Sequence, residues 1–489
     1  MKKILLLLSS FCVLCSFSPR PVDVDDVCAM MNDEIFKAYC YEKFDSDHDG
    51  KVSVDEASQV YSLEIYGLGI KSLRGIECFS NLVYLYCSDN KLTDLRLGSM
   101  EHLEALQCQD NSLTSLKVSG CSALRYLNCD NNKLTEVAVA RNSNLISLEC
   151  AGNLLESIEV GYNPDLLILD CSDNRITYLD IAANHALTSL VARNNKLTSI
   201  DLRNNSELQF LTLSGNELAN ISLFYNGKLT SANLDNNQLR SIDISMNEQL
   251  ETLNIDNNYL TDIRLSSSRL MELSCAGNKL YLLDVSGLEN LGTLNCDRNR
   301  LTSLNLSANQ LYSLSCADNQ LTSLDLSAST HLHTLKCDNN KFNVLDLSKN
   351  MELEVLSCGY NDLISLDLAE NIILQELVCN NNQIKFLTLP INGLKTIICS
   401  NNDLSNLDMS GQMFLRQLCC SNNKLSNLNL KECRDLSVLV CTSNFLTKMD
   451  LSKNMNLTVV MCDYNPIEWI KVSCKIPEFF YPIGVEIKE

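Results

Sequence analysis

The sequence predicts a solenoid built mainly of β-strands, a chain wound into about twenty stacked coils of about 20–22 residues. Three observations predict it. One asparagine recurs nineteen times, from Asn90, Asn111 and Asn132 through to Asn465; fifteen of the eighteen steps are 21 residues and three are 20. Leucines hold fixed offsets from that asparagine in copy after copy. Both ends of the series depart from the pattern, as the ends of a stack must, because an open terminal coil exposes apolar core and strand edges.

The elements follow in chain order. The opening MKKILLLLSSFCVLCSFSPRP has a basic start at Lys2 and Lys3 and an apolar run from Ile4 to Phe17. That is a secretory signal, assigned to residues 1–20, and too short for a spanning helix. Cys12 and Cys15 raise the question of a lipid anchor, but Phe11 and Leu14 stand where a lipobox wants a small residue. No later stretch is long and apolar enough to cross a membrane, so the expected location is secreted or at the outer cell surface.

Residues 21–59 are expected to form a helical N-terminal cap. Ile35, Phe36, Tyr39, Cys40 and Phe44 recur at helical spacing. DSDHDGKVSVDE, residues 45–56, then matches a twelve-residue calcium loop. Asp45, Asp47 and Asp49 fill positions 1, 3 and 5, and Gly50 makes the turn at 6. Lys51 offers its carbonyl at 7, Ser53 sits at 9 and Glu56 closes the loop at 12. These are hard oxygen donors, and one structural Ca²⁺ is the expected cofactor. An acidic turn without a metal is the bland alternative. Sensor loops work in pairs, whereas this one stands alone, so the ion is read as a brace rather than a switch.

Residues 60–472 carry the coils. Around each asparagine the phrase is L-x-x-L-x-C-x-x-N-x-L, as in Leu103, Leu106, Cys108, Asn111 and Leu113. This is the leucine-rich repeat form, a short strand followed by a turn. VYSLEIYGLGI at 60–70 is a first partial copy, with Ile65 in the cysteine slot and Leu68 in the asparagine slot. A buried amide offers two donors and an acceptor, enough to satisfy the backbone groups that a sharp turn leaves inside the coil. Solvent-exposed turn asparagines are the alternative, and they do not explain nineteen in register. The cysteine slot also takes Ala192, Leu213, Leu234 and Ile255. It is therefore an apolar slot, and its cysteines are expected to be buried thiols. Strand spacing is too wide for disulfides, and a thiolate metal chain lacks His partners and tetrahedral placement. A second phrase, L-T-S-L-D-L-S-x-N, follows in many coils, as in Leu301, Leu304, Leu306 and Asn309. Short parallel strands are thus expected on one side of the coils, and on both where this half also forms a strand. Residues 473–489 are expected to be the C-terminal cap, with Phe479, Phe480 and Tyr481 covering the last leucines.

The phrase LxxLxCxxNxLTxLDLSxN, together with the EF-hand-like loop ahead of residues 69–82, resembles the cysteine-containing leucine-rich surface proteins of gut-type Bacteroidetes, broadly similar to the internalins. The resemblance covers residues 28–472. It implies an exported, non-enzymatic protein that binds other proteins or host surfaces.

Function on a repeat scaffold sits at outward variable positions. The residue before the cysteine slot is polar early, as in Gln107, Asn128, Glu149 and Asp170, and apolar in the last coils: Val378, Ile398, Cys419, Val440 and Met461. Val438 and Val459 lie two residues earlier in adjacent coils, and Tyr360 and Tyr464 border the set. This is the candidate protein-binding patch; the alternative is that the C-terminal cap covers it. Acidic residues such as Asp256, Asp297 and Asp338 form a line that would either steer a cationic partner or serve solubility. The net charge of -21 repels phosphate backbones, so nucleic acid is not an expected partner. The expected partner is an unidentified protein ligand. Glycan is the alternative, although Tyr84, Tyr126 and Phe210 are scattered in sequence. The five histidines, His48, His102, His185, His331 and His333, form no recognisable catalytic set.

Overall fold

The computed structural model describes residues 25–265, 269–307, 309–391 and 393–488. The signal assigned to residues 1–20, with Cys12 and Cys15, lies outside the described residues. The chain divides into two compact units, one ending at Leu145 and one beginning at Ile146.

The first unit starts with a single 3-10 turn, Val27–Met30, and two helices, α1 (Glu34–Phe44) and α2 (Val54–Ser58). Strands Ser62–Glu64, Tyr84–Tyr86, Ala105–Gln107 and Tyr126–Asn128 then pair in parallel, rung for rung. On the opposite side Asp94–Arg96 pairs with Ser115–Lys117. The second unit repeats the arrangement. Its front strands run from Ser147–Glu149 to Glu478–Phe480, each paired in parallel with the next. Its other side carries only intermittent pairs, such as Ser241–Asp243 with Asp262–Arg264 and Ser365–Asp367 with Phe386–Thr388. The fold is therefore a mainly β solenoid of leucine-rich repeat coils, with strands throughout on one side and in places on the other.

Each front strand is three residues long. Its central residue points inward, as Leu106 and Leu253 do, and its outer two face solvent to varying degrees. The ladder asparagine stitches each coil to the one before. Asn111 Nδ2 donates to Cys87 O of the preceding coil at 3.0 Å and to Cys108 O and Gln109 O of its own at 3.2 Å, while Asn111 Oδ1 accepts Leu92 N–H at 3.0 Å. Asn258 repeats this with Leu234 O at 3.0 Å, Ile255 O at 3.2 Å, Asp256 O at 3.1 Å and Leu239 N–H at 2.9 Å. Leu68 does not share the role. It is 39% exposed, and Asn90 of the following coil serves the first coil, accepting Ile70 N–H and donating to Ile65 O. The first coil has none before it whose carbonyls need a donor.

A second ladder runs along the other half of the coils. Asn184 Nδ2 donates to Val160 O at 3.0 Å and Asn163 O at 2.8 Å, and Asn205 repeats this on Ile181 O and Asn184 O. These amides are wholly buried. The asparagine of the L-T-S-L-D-L-S-x-N phrase is this rung. Cys121 and Cys433, off the main cysteine register, occupy the same slot, and Asn142 and Asn454 donate to their carbonyls.

The main cysteine slot is buried from Cys87 to Cys462, and its cysteines are free thiols. Burial raises their pKa values, to about 12 for Cys87, Cys171 and Cys399. Two further features depart from expectation. Ile35 is exposed, because it lies outside the arc of α1 that carries Phe36 and Cys40 inward. Residues 473–488, within the segment expected to be the cap, lay down further strand: Glu478–Phe480 pairs with Val459–Met461, and Glu486–Lys488 with Trp469–Lys471. Phe479 turns inward, whereas Phe480 faces solvent.

Two outcomes follow. Asn258→Ala leaves Leu239 N–H without its acceptor, while Leu234 O, Ile255 O and Asp256 O keep Asn237 Nδ2, Asn278 Nδ2 and Asn236 N–H as donors; it lowers stability by about 2 kcal/mol, seen as a lower urea midpoint. Stability also falls at alkaline pH. The thiols' folded pKa values lie above the unfolded value, so their contribution is complete below about pH 9 and is lost as pH rises toward 12. Each such thiol removes about 1.4 kcal/mol per pH unit in that window, and urea midpoints at pH 8, 9 and 10 measure the slope.

Candidate calcium loop and binding surface

The acidic loop, the candidate calcium site, joins α1 to α2. Asp33 caps α1 by accepting Ile35 and Phe36 N–H, and Ser53 caps α2 in a reciprocal capping box with Glu56. Between them the carboxylates of Asp45, Asp47 and Asp49 converge, with one oxygen of each within 4.8 Å of the others. They are held by the loop's own backbone. Asp49 N–H donates to Asp45 and Asp47 at 3.1 Å, Gly50 N–H to Asp45 at 2.9 Å, and Lys51 N–H to Asp49 at 2.9 Å. His48 and Gly50 adopt positive φ to make the turn.

Glu56 and Ser53 are not drawn into that cluster. Glu56 accepts from the N–H and hydroxyl of Ser46, both at 2.7 Å, and from Ser53 N–H at 2.8 Å and Oγ at 2.9 Å. Ser53 and Ser46 together hold its pKa down at about 2, so it stays ionised. The donor set fits a hard divalent cation. Three carboxylates already face one point, and a fourth sits anionic at the closing position.

The loop is anchored from behind. Val52 is buried; its carbonyl accepts Val27 N–H at 2.9 Å and its N–H donates to Asp26 Oδ1 at 3.3 Å. Asp26 also accepts Cys28 N–H and the Tyr41 hydroxyl. The segment at 26–27 thus lies along the loop as a short strand-like partner. Nothing in the spacing of Asp26 announces this role. The helices dock on the first coil through Asp33 Oδ2, which accepts Lys71 N–H at 2.7 Å, through the Tyr39 hydroxyl on Glu64 O at 3.0 Å, and through the rings of Phe44 and Phe79 at 5.4 Å.

The apolar patch is contiguous. Val378, Ile398, Cys419, Val440 and Met461 are successive register partners on the front sheet, all half-buried. Phe480 follows Met461 in the same register and is itself exposed, so the C-terminal residues lengthen this column. Val438 and Val459 pair beside it at the first position of their strands.

The turn after each strand adds a signal that spacing alone does not carry. In all nineteen coils the residue before the ladder asparagine has positive φ. Fifteen of these are Gly, Asn or Asp; the exceptions are Arg298, Tyr360, Ser443 and Tyr464. Tyr360 and Tyr464 have φ of 53° and 56° and are exposed, 58% and 83% respectively. A bulky side chain in this conformation costs about 1 kcal/mol. Three of the four exceptions border or share the coils of the apolar column.

The acidic line has structural work to do. Asp256 accepts Ser274 Oγ at 2.8 Å and Ala276 N–H at 2.6 Å, and Asp297 and Asp338 bridge to their next coils in the same way. His331 and His333 both approach Glu352, at 3.0 and 3.9 Å, on open surface.

No protein-family model matches the chain, and no curated protein matches its sequence. Solved structures do. The functional domain of InlJ from Listeria monocytogenes, described as including a cysteine ladder, is 26% identical, with a TM-score of 0.57 over 87% of this chain and 82% of that one. YopM from Yersinia enterocolitica is 24% identical, with a TM-score of 0.69 over 88% and 91%. A leucine-rich repeat protein of Leptospira interrogans is 22% identical, with a TM-score of 0.57 over 85% and 92%. The fold is thus an internalin-like leucine-rich repeat β-solenoid.

Tyr464→Asn relieves the strained turn and raises stability by about 1 kcal/mol, read as a higher urea midpoint; Asn422→Tyr, at the equivalent turn, lowers it by a similar amount.

Proposed function

We propose that this is an exported, surface-exposed protein-binding scaffold of Bacteroidetes type, non-catalytic, with its N-terminal cap braced by one Ca²⁺. The observation that carries the binding reading is the apolar column from Val378 to Phe480, six register partners long, which follows Asn254, Ser274, Asn295, Ser315, Lys336 and Ser357 at the same position of the preceding strands. A contiguous exposed apolar strip on a soluble protein marks a contact surface. The strained tyrosines beside it support the same reading, since strain is retained where a side chain is used. Export is supported by the basic-then-apolar opening of the sequence.

The binding reading is tested with an array of extracellular proteins. The wild-type chain retains at least one ligand, and the Val440→Asp/Met461→Asp double variant binds it at least about tenfold more weakly with its unfolding midpoint unchanged. Equal binding by both removes the patch assignment.

The calcium reading is tested by calorimetry on metal-stripped protein. One ion binds per chain, and Glu56→Gln abolishes the heat. Calcium at a hundredfold its dissociation constant stabilises the wild type by about 2.7 kcal/mol. No heat at millimolar calcium leaves residues 45–56 as an acidic turn.

The alternative, a glycan-binding surface, draws on one observation. Tyr84 and Tyr126 are exposed and lie on either side of Ala105 in the front-sheet register, with Tyr86 stacked on Tyr84 at 6.4 Å. A flat aromatic platform of this kind suits a sugar face. Glycan-array binding lost in Tyr84→Ala and kept in Val440→Asp/Met461→Asp would favour it over the protein-binding reading.

A further inference from the structure

Two of the five histidines, His331 and His333, stand two residues apart in the stretch that leads into the front strand Thr334–Lys336. Residues two apart on an extended chain point to the same face, and both rings lie at the surface. The next coil brings up Glu352 and Glu354, each 21 residues after one of the histidines. The backbone fixes that register, since Glu354 N–H donates to His333 O at 2.8 Å. The Glu354 carboxylate is taken by the Gln375 side chain at 2.9 Å, whereas Glu352 turns to the histidines.

Glu352 Oε2 lies 3.0 Å from His331 Nδ1 and 3.9 Å from His333 Nε2. The tautomer of His333 gives the second distance its meaning. Its Nδ1 lies 2.7 Å from His331 O. A carbonyl oxygen only accepts, so Nδ1 carries the hydrogen and Nε2 of the neutral ring carries a lone pair. Two electron-rich atoms therefore stand near each other at a distance too long for a hydrogen bond, and a cation between them would satisfy both. A metal-binding imidazole is held in the same way, with its far nitrogen donating to a carbonyl or carboxylate.

We propose that His331, His333 and Glu352 bind one divalent transition-metal ion of the Zn²⁺ class, with water completing the shell. Two imidazole nitrogens and one carboxylate oxygen are a donor set that zinc takes with one position left open, whereas Ca²⁺ takes oxygen ligands alone. Tetrahedral bonds to zinc space the ligand atoms about 3.3 Å apart, between the two observed separations. The two nitrogens flank the oxygen, because the three donor atoms do not all lie within 4.8 Å of one another. Closing the site takes a rotation of surface side chains, His331 being 63% and Glu352 45% exposed, and leaves the core packing alone. As the ion takes Nδ1 of His331, the proton of that atom passes through water to Nε2 of the same ring. The site lies in the second compact unit and the acidic loop in the first, so it needs neither that loop's ion nor a protein ligand.

The test follows the histidine Cε1 signals of the full-length chain by NMR at neutral pH, with calcium in excess, as one equivalent of Zn²⁺ is added. Two signals shift together, and they are the ones lost in His331→Ala and His333→Ala. Glu352→Gln weakens Zn²⁺ binding at least about tenfold, the low end of what losing even a supporting partner of a metal site costs. The urea midpoint of metal-free Glu352→Gln stays at the wild-type value, as it does for exposed substitutions, so weaker binding there is not misfolding. Zn²⁺ that shifts neither ring, that shifts one ring alone, or that binds Glu352→Gln as tightly as the wild type overturns the proposal. A shift confined to His48 assigns the ion to the acidic loop and overturns it equally.

Discussion

The side-chain amide of one asparagine per coil is the interaction on which this molecule depends. Leaving each strand, the chain turns sharply inward and strands backbone groups where water cannot reach. Asn111 and Asn258 show the solution: three carbonyls and one N–H are satisfied by a single amide, and one of those carbonyls belongs to the preceding coil. No other neutral side chain of this size offers both donors and an acceptor on a short stem. Strand register, the leucine column and the outward columns are regular because this bond repeats at constant offset. The second, fully buried ladder from Asn184 and its equivalents ties the other half of the coil by donating to two carbonyls of the preceding coil.

With that frame in place, much that looks like chemistry turns out to be packing. The cysteines fill a slot that Ala192, Leu213, Leu234 and Ile255 fill elsewhere, so their burial rather than their sulfur earns them the position. Asp256, Asp297 and Asp338 tie successive coils through serine hydroxyls and backbone N–H groups. What is left unexplained by the frame is small: an apolar column, two tyrosines held in a conformation that suits asparagine, and an acidic loop. These are the places where local rules are broken, and such places are where function is sought.

The repeat was legible from sequence because each coil poses the same physical problem and receives the same answer. Nineteen asparagines in register leave little room for another architecture. The features that were not legible occur once. Leu68 fills the asparagine's place in the spacing but faces solvent, since the first coil has no predecessor to serve. Ile35 shares the helical spacing of α1 yet misses its buried arc. Residues 473–488 break the phrase and still lay down another strand, so Phe480 extends the apolar column instead of covering it. The acidic triad at Asp45, Asp47 and Asp49 was evident from spacing and does converge. The pairing of Val52 with Asp26 and Val27 depends on a tertiary contact that no local pattern records.

The constant offset of the asparagine bonds bears on how such a chain changes length over generations. A rung in a 21-residue coil recognises the carbonyl 24 residues before it and the N–H 19 residues before it, as Asn216 does with Ala192 and Leu197, and both offsets shorten by one where the coil has 20 residues, as at Asn278. Excising one whole period brings the next asparagine onto an identical set of partners, and duplicating a period does likewise. Unequal recombination can therefore shorten or lengthen the array in whole coils with each junction self-healing. The genetic unit of variation is the coil, and a surface such as the apolar column can grow or shrink one strand at a time without redesign of the frame beneath it.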